Sequence, residues 1–334
     1  MSPESLLEVR DLKISIRSDE GFAQVLDHVE LTLRAGRILG VVGESGCGKS
    51  TLVKAILGIL PRGSAVEQGS IRFEGEELLR LDEAELSRRI RGRRIGFIPQ
   101  DPYLALNPVF TVGTQLLEIM RWHAPPEAPG AARGLARERH RARLVALLRR
   151  VQIPEPEAVL DRYPHQFSGG QRQRLLIAGA LACAPRLVIA DEPTTALDVT
   201  TQLQILRLLR ELADEFGLSM LFVTHDFGVV AQLCDDLSVM YAGQTVEAGA
   251  TADILREPRH PYTRALLDCH PDRAESLRGI PGSVPSALRP PPGCRFAPRC
   301  PEALPLCAAR APRLVPESDG RGVNCRLAEP VTAS

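Results

Sequence analysis

The residues whose types and spacing most clearly suit ligand binding form one glycine-rich stretch, Gly43-Glu44-Ser45-Gly46-Cys47-Gly48-Lys49-Ser50-Thr51. An apolar run precedes the stretch and a segment of helical spacing follows it, which is the context in which backbone amides curl around phosphates. Lys49 is placed to reach the β- and γ-phosphates of a nucleotide, Ser50 to ligate Mg²⁺ and Thr51 to donate to the α-phosphate. The spacing predicts a phosphate-binding loop, a name kept below for residues 43–51.

A second group that could bind metal or catalyse a reaction is the acidic pair Asp191-Glu192, which follows the apolar run Leu187-Val188-Ile189-Ala190. Asp191 can hold a magnesium ion through water, and Glu192 can orient or deprotonate an attacking water. Such a pair at a strand end is often only a helix cap or a solvated site. Together with the phosphate-binding loop, however, it indicates a phosphate-loop ATPase, a class that at this point still includes helicases and kinases.

Short apolar strands must position these groups. One strand precedes the phosphate-binding loop, one ends at Asp191, and a third, Met220–Val223, ends at Thr224-His225-Asp226, with an amphipathic helix predicted over Thr201–Phe216. Apolar strands that alternate with helices predict an α/β fold with a mostly parallel sheet covered on both faces, and with the chemistry at the carboxyl ends of the strands.

Other segments predict additions to this core. Leu6–Ile16 and Val29–Leu33 alternate apolar and polar residues, which predicts an N-terminal antiparallel β-layer. Helical composition over Thr111–Arg150 predicts an inserted helical subdomain at about residues 101–182. Prolines and glycines multiply beyond Arg256. We therefore expect a nucleotide-binding domain over residues 1–255 and an extension over residues 256–334.

Charge and hydropathy set limits on partners. Lys plus Arg and Asp plus Glu both total 41, so the formal net charge is zero and nothing global favours a nucleic-acid partner. No run approaches the ~20 apolar residues of a membrane helix, and residues 1–10 do not resemble an export signal. We expect a soluble, cytosolic chain.

The stretch Phe167-Ser168-Gly169-Gly170-Gln171-Arg172-Gln173-Arg174 closely resembles the signature sequence of the ABC ATPase family, with Phe167 where the family usually has leucine. The resemblance implies a P-loop NTPase fold with a RecA-like core. It also implies that Ser168, Gly169, Gly170 and Gln171 bind the ATP held by another subunit, in a head-to-tail dimer that buries two ATP molecules.

Further motifs of the family follow in the expected order. They are Gln100 within Pro99-Gln100-Asp101-Pro102, Asp198 within Thr195-Ala196-Leu197-Asp198, and His225. The resemblance implies that Gln100 links magnesium to membrane subunits, that Asp198 links the two nucleotide sites and that His225 contacts the γ-phosphate. Lys49, Glu192 and His225 are thus the predicted catalytic residues.

The adenine-stacking position of the family falls on Ile16 in this chain. Ile16 cannot stack as an aromatic ring would, so adenine rests either on aliphatic surface or on Phe22. Phosphate contacts then dominate binding.

Three longer stretches resemble the ATPase subunits of oligopeptide and dipeptide importers: Asp101–Pro108, Tyr163-Pro164-His165-Gln166 and Pro258-Arg259-His260-Pro261-Tyr262-Thr263. The resemblance implies a second, related ATPase subunit, two integral membrane permease subunits and an extracytoplasmic substrate-binding protein, at the cytoplasmic face of the membrane. It implies import of peptides, with nickel or another metal complex as the alternative cargo.

Cys294, Cys300, Cys307 and Cys325 cluster near the C-terminal end, with five, six and seventeen residues between successive members. Zinc prefers tight Cys-x₂₋₄-Cys pairs, whereas wider loops can surround an iron–sulfur cluster. The spacing favours a [4Fe-4S] cluster over Zn²⁺, with unligated thiols as the third alternative.

Two other classes of protein remain alternatives to a transport ATPase. A soluble ABC ATPase of DNA repair or translation would carry a long coiled coil, zinc insertions or a second nucleotide domain, none of which we find in the sequence. A regulatory protein without activity would not need Lys49, Glu192 and His225 together.

Overall fold

The computed structural model describes residues 5–124, 133–269, 279–309, 311–312, 314–316, 321–325 and 327. The strands in chain order are β1 (Ser5–Ser18), β2 (Gly21–Arg34), β3 (Ile38–Val42), β4 (Ser64–Phe73), β5 (Glu76–Glu77), β6 (Ile95–Ile98), β7 (Leu187–Asp191), β8 (Ser219–Thr224), β9 (Asp236–Tyr241), β10 (Gln244–Ala250), β11 (Val315–Pro316) and β12 (Gly322–Val323). The α-helices are α1 (Lys49–Ile56), α2 (Glu83–Glu85), α3 (Val112–His123), α4 (Arg133–Arg150), α5 (Pro156–Val159), α6 (Gly169–Leu181), α7 (Val199–Phe216), α8 (Phe227–Leu233), α9 (Thr251–Arg256), α10 (Pro261–Asp268) and α11 (Pro305–Ala309).

The chain divides into two compact units, one comprising Met1–Arg80 with Val223–Ser334 and the other comprising Leu81–Phe222. Strand β8 crosses the boundary, with its last two residues in the first unit. The predicted boundary near residue 255 stays a prediction.

The first unit contains an antiparallel sheet in the order β2-β1-β4-β5. Leu7 pairs with Leu33 on one side and with Phe73 on the other. The three side chains are fully buried, as expected when one face of an alternating strand covers a core. This confirms the predicted N-terminal β-layer, although β1 and β2 extend beyond the predicted strands to form one long hairpin.

The same unit holds the strand that leads into the phosphate-binding loop. All five residues of β3 are buried, and β3 pairs in parallel with β9, which pairs antiparallel with β10. A strand buried along its whole length needs cover on both faces, which explains its continuous apolar sequence. The buried strand ends where the glycine-rich loop begins.

The second unit combines a parallel pair of strands with helices. Strands β6 and β7 pair in parallel, with Phe97 opposite Ile189. Helix α7 buries Ile205, Leu208, Leu209 and Leu212 at helical spacing and ends at Gly217, whose φ is 59°. Together the antiparallel layer, the parallel strands and the helices confirm the predicted α/β class.

Candidate nucleotide-binding and four-cysteine sites

The phosphate-binding loop connects β3 to α1 in the first unit, as predicted. Its glycines are required by close approach and backbone angle: a Cβ on Gly43 would lie 2.1 Å from the Met240 carbonyl oxygen, and Gly48 has a φ of 104°. Lys49 Nζ donates to the carbonyl oxygens of Gly43, at 2.7 Å, and Glu44, at 3.1 Å. The loop itself therefore aims the buried lysine.

The backbone of residue 243 also holds the loop in place. The Gly243 amide donates to the Cys47 carbonyl oxygen at 2.8 Å. The Cys47 side chain is 1% exposed, and burial raises the pKa of its thiol. Ser50 remains exposed and Thr51 half-buried at the start of α1. The loop thus presents hydroxyls outward while its sulfur packs inward.

His225 follows the last residue of β8 and is exposed. The next residue, Asp226, caps α8 by accepting from the Gly228 amide at 2.7 Å. The strand end and the helix start thereby hold the backbone on both sides of His225.

In the second unit, Asp191 ends β7 and is 9% exposed, while Glu192 follows it at a φ of 45°. A non-glycine residue at positive φ is strained, and such strain is common at functional sites. Gln100 Nε2 and Thr195 Oγ1 both donate to Glu192 Oε2, at 3.2 and 3.1 Å. The structure thus joins two predicted site residues, Gln100 and Glu192, and adds Thr195, to which the sequence assigned no role.

The signature sequence begins α6 with a capping box. The Ser168 hydroxyl accepts from the Gln171 amide at 3.3 Å, and the Ser168 amide donates to Gln171 Oε1 at 3.0 Å. A Cβ on Gly170 would lie 2.6 Å from Thr201 Cγ2, which explains a glycine there. The divergent Phe167 is 5% exposed beneath the guanidinium of Arg162, so the larger side chain is accommodated.

Asp198 caps α7, where its carboxylate accepts from the Thr201 amide at 2.9 Å and the Thr201 hydroxyl at 2.7 Å. These hydrogen bonds lower the pKa of Asp198. The cap thus favours the charged form of the carboxylate at the start of the helix.

The predicted nucleotide-site residues are divided between the units. Lys49, Ser50 and His225 belong to the first unit, and Gln100, Ser168, Asp191, Glu192 and Asp198 to the second. How they act together on one nucleotide stays a prediction.

The four cysteines of the C-terminal end line one narrow cavity in the first unit, with buried His260 and Phe296 beside them. The Cys294 amide donates to the Cys307 carbonyl oxygen at 2.7 Å, which closes the loop between them. Burial, which is the main cause, and the neighbouring thiols raise the pKa of Cys294 and of Cys325. The sequence predicted the grouping of these thiols but not the part of His260.

Neither a site for a single metal ion nor a membrane-spanning helix occurs among the described residues. Among those residues, no group of three or more histidine, cysteine, aspartate or glutamate side chains is arranged so that it could hold a metal ion. No helix in the same ranges is both long enough and apolar enough to cross a membrane.

Two families match separate stretches of the chain. The ABC transporter family matches residues 26–195, and the family described as the oligopeptide/dipeptide transporter, C-terminal region, matches residues 246–307. The second match includes Cys294, Cys300 and Cys307.

Relatives match along nearly the whole chain. A probable peptide ABC transporter ATP-binding protein of Sinorhizobium fredii is 45% identical over 325 residues, which cover 96% of this chain and 94% of the relative. The oligopeptide transport ATP-binding protein of Salmonella typhimurium is 45% identical over 320 residues, 95% of this chain and 92% of the relative.

Solved structures agree with these matches. A dimeric ATP-binding cassette in a post-hydrolysis state, bound to ADP and phosphate, aligns with a TM-score of 0.62 and 27% identity, covering 73% of this chain and 98% of its own. A protein of Clostridium perfringens that is part of an ABC transporter complex aligns with a TM-score of 0.61 and 26% identity. The alignment covers 76% of this chain and 92% of that protein. The chain therefore belongs to the ABC transporter family, the family of ATPases that its sequence resembles.

Proposed function

We propose that this chain hydrolyses ATP at the cytoplasmic face of the membrane to energise the import of di- and oligopeptides through partner membrane subunits. The observation that carries the proposal is the 45% identity, across nearly the whole chain, with an oligopeptide transport ATP-binding protein. The matched oligopeptide/dipeptide transporter region over residues 246–307 supports the same cargo class.

The side chains of both units fit the hydrolytic chemistry. Lys49 binds the β- and γ-phosphates, Ser168 with its two glycines binds the γ-phosphate of a second nucleotide, and Glu192 orients the attacking water and accepts its proton. His225 holds the γ-phosphate in line. Two hydrogen-bond donors on Glu192 Oε2 hold the carboxylate in a fixed orientation, and a general base requires such an orientation.

Ser50, Gln100 and Asp191 would hold Mg²⁺, since they offer the oxygen donors that this ion prefers. The ion supplies charge neutralisation at the phosphates. Asp191 is 9% exposed at the end of β7. Burial disfavours the charged carboxylate, and a nearby cation stabilises it.

For adenine, we propose contact with the N-terminal β-layer. Phe22 is 64% exposed and pairs with Arg17 in the β1–β2 hairpin, whereas the half-buried Ile16 pairs with Ala23 and therefore belongs to the opposite face. An exposed aromatic ring offers a surface on which a base can stack, and a half-buried aliphatic side chain offers less. Phe22→Ala should then weaken ATP binding more than Ile16→Ala does.

The partners follow from the family. We propose two integral membrane permease subunits, an extracytoplasmic substrate-binding protein and a second, related ATPase subunit, with no nucleic-acid partner. A solved relative of this chain is a dimer bound to ADP and phosphate, which supports a pair of cassettes. Coexpression with the membrane subunits, followed by identification of each ATPase chain in the purified complex, tests the heterodimer against a homodimer.

For the four cysteines, we propose a [4Fe-4S] cluster. Four soft sulfur donors line one cavity, and in a cluster each sulfur binds a different iron, so the sulfurs need not converge on one point as they must around zinc. Iron and sulfide analysis after anaerobic purification tests this. About four irons and four sulfides per chain, lost in Cys294→Ser and Cys300→Ser, support the cluster; one zinc or no metal overturns it.

Transport itself is tested in proteoliposomes that contain the complete complex. Uptake of a labelled dipeptide or oligopeptide should require internal ATP and the binding protein, and Glu192→Gln should abolish it. Uptake of nickel instead of peptide would show that the cargo is a metal and would overturn the peptide assignment. Purification with ribosomes or DNA ends and without membrane subunits would overturn the transport function.

A further inference from the structure

An arginine near the C-terminal end reaches the phosphate-binding loop. Arg299 Nη1 donates to Glu44 Oε2 at 2.8 Å, and Arg299 Nη2 donates to Glu44 Oε1 at 3.1 Å. The Arg299 side chain is 3% exposed and that of Glu44 27%. Two parallel, charge-assisted hydrogen bonds of this kind are strong and fix orientation as well as distance.

Arg299 is itself held in place. Its Nε donates to the Pro281 carbonyl oxygen at 2.9 Å, its Nη2 to the Ile280 carbonyl oxygen at 3.0 Å, and its Nη1 to the Tyr241 hydroxyl at 3.2 Å. The hydrogen bond with Glu44 raises the pKa of Arg299. The guanidinium is therefore a fixed, permanently charged anchor for the loop.

The backbone of Glu44 is also held by a residue of the C-terminal extension. The Glu44 amide donates to the Tyr262 hydroxyl at 2.9 Å. The ring of Tyr262 is fully buried, 4.5 Å from that of Tyr241 and 5.4 Å from that of Phe296. Side chain and backbone of one loop residue are thus both bound by residues more than 200 positions away.

A second arginine of the 294–300 turn supports the other side of the loop. Arg295 donates to the Ala242 carbonyl oxygen and forms an ion pair with Asp27 at 3.0 Å. The neighbouring Gly243 amide donates to the Cys47 carbonyl oxygen. The 294–300 turn therefore contacts the loop at Glu44 directly and at Cys47 through one intervening turn.

We propose that Arg299 is a positioning residue for the phosphate-binding loop, acting through Glu44; this rests on the assignment of residues 43–51 as that loop. Two physical effects follow. Lys49 donates to the Glu44 carbonyl oxygen, so a displaced Glu44 misdirects the lysine. An uncompensated Glu44 carboxylate in the loop also repels the triphosphate, and Arg299 cancels that charge.

The test measures ATP affinity by titration, and KM and kcat of hydrolysis, on the purified complex below its unfolding temperature. Arg299→Gln should weaken ATP binding and raise KM about tenfold, as loss of a charge-assisted pair predicts, with a smaller change in kcat. Arg299→Lys should recover part of the loss because it keeps the charge without the planar fork. The double variant Glu44→Gln/Arg299→Gln should bind ATP more tightly than Arg299→Gln, because no uncompensated carboxylate remains.

Two controls separate the possible failures. Arg264→Gln breaks a 3.0 Å ion pair with Glu302 in the same unit and should leave KM unchanged. Lys49→Ala should abolish binding; if it does not, the phosphate-binding loop itself is misassigned. If Lys49→Ala abolishes binding while Arg299→Gln and Arg299→Lys lower only the melting temperature, Arg299 is merely structural and the proposal fails. If Arg299→Gln does not fold, Arg299→Lys and the double variant carry the test.

Discussion

The side-chain amide of Gln100 donates a hydrogen bond of 3.2 Å to Oε2 of Glu192, and the Thr195 hydroxyl donates to the same oxygen at 3.1 Å. Glu192 also sits at a positive φ, directly after a buried strand. Two protein donors thereby hold one carboxylate oxygen of the proposed general base. This geometry makes separate predictions for the base and for the residues that hold it.

The first prediction concerns the base. Glu192→Gln should leave ATP binding intact and lower kcat by about 10²- to 10⁴-fold, because an amide cannot accept the proton of the water. Nucleotide titration and a phosphate-release assay measure both quantities. Glu211→Gln, an exposed change on α7, is the matched control. Unchanged turnover in Glu192→Gln would show that another group is the base.

The second prediction concerns the two donors. Thr195→Val and Gln100→Ala should each lower kcat, by about tenfold for a lost orienting hydrogen bond. Thr195→Val should change ATP affinity little, whereas Gln100→Ala should also weaken Mg²⁺-dependent ATP binding, because Gln100 is a proposed ligand of the ion. Because both donors bind one oxygen, their effects should not be additive. A double-mutant cycle on kcat measures the coupling, and strict additivity would mean that the donors do not act through Glu192.

The third prediction concerns the cap of the signature helix. Ser168→Ala removes the acceptor for the Gln171 amide and should cost about 1 kcal/mol of the free energy of unfolding. It should also weaken the ATP-dependent dimer, which size-exclusion chromatography in a Glu192→Gln background detects. Ser168→Thr, which can keep the cap, is the control and should behave much more like the parent protein.

The fourth prediction concerns alkaline stability. Burial raises the pKa of Cys183 from 9.0 to about 11. Between those values the unfolded chain loses the thiol proton first, so stability falls as the pH rises above 9. From pH 8 to pH 10 this residue should cost about 1.4 kcal/mol, one pKa unit of linkage.

Denaturant unfolding of the parent protein and of Cys183→Ala at both pH values isolates this effect. The stability difference between the two proteins should shrink or reverse toward pH 10. A difference that is independent of pH would place the Cys183 thiol in contact with solvent.

The predictions from the sequence succeeded where a motif is short and local. Residues 43–51 need a strand before them and a helix after them, and the apolar run before the loop and the helical spacing after it are both visible in the sequence. The elements of the extension were harder to predict. The prolines beyond Arg256 predicted only an extension, but Pro261 begins α10, since proline is favoured in the first turn of a helix.

By itself, the sequence determined the α/β class and the family, and it predicted the phosphate-binding loop and the four-thiol site, because each depends on residue types at short spacing. Only the tertiary structure decided that Arg299 pairs with Glu44 and that Tyr262 binds the Glu44 amide. These partners are joined across more than 200 residues, and such contacts leave no period in the sequence. They arise from packing around buried aromatic rings, which brings Tyr262 and Arg299 to residues 43–51.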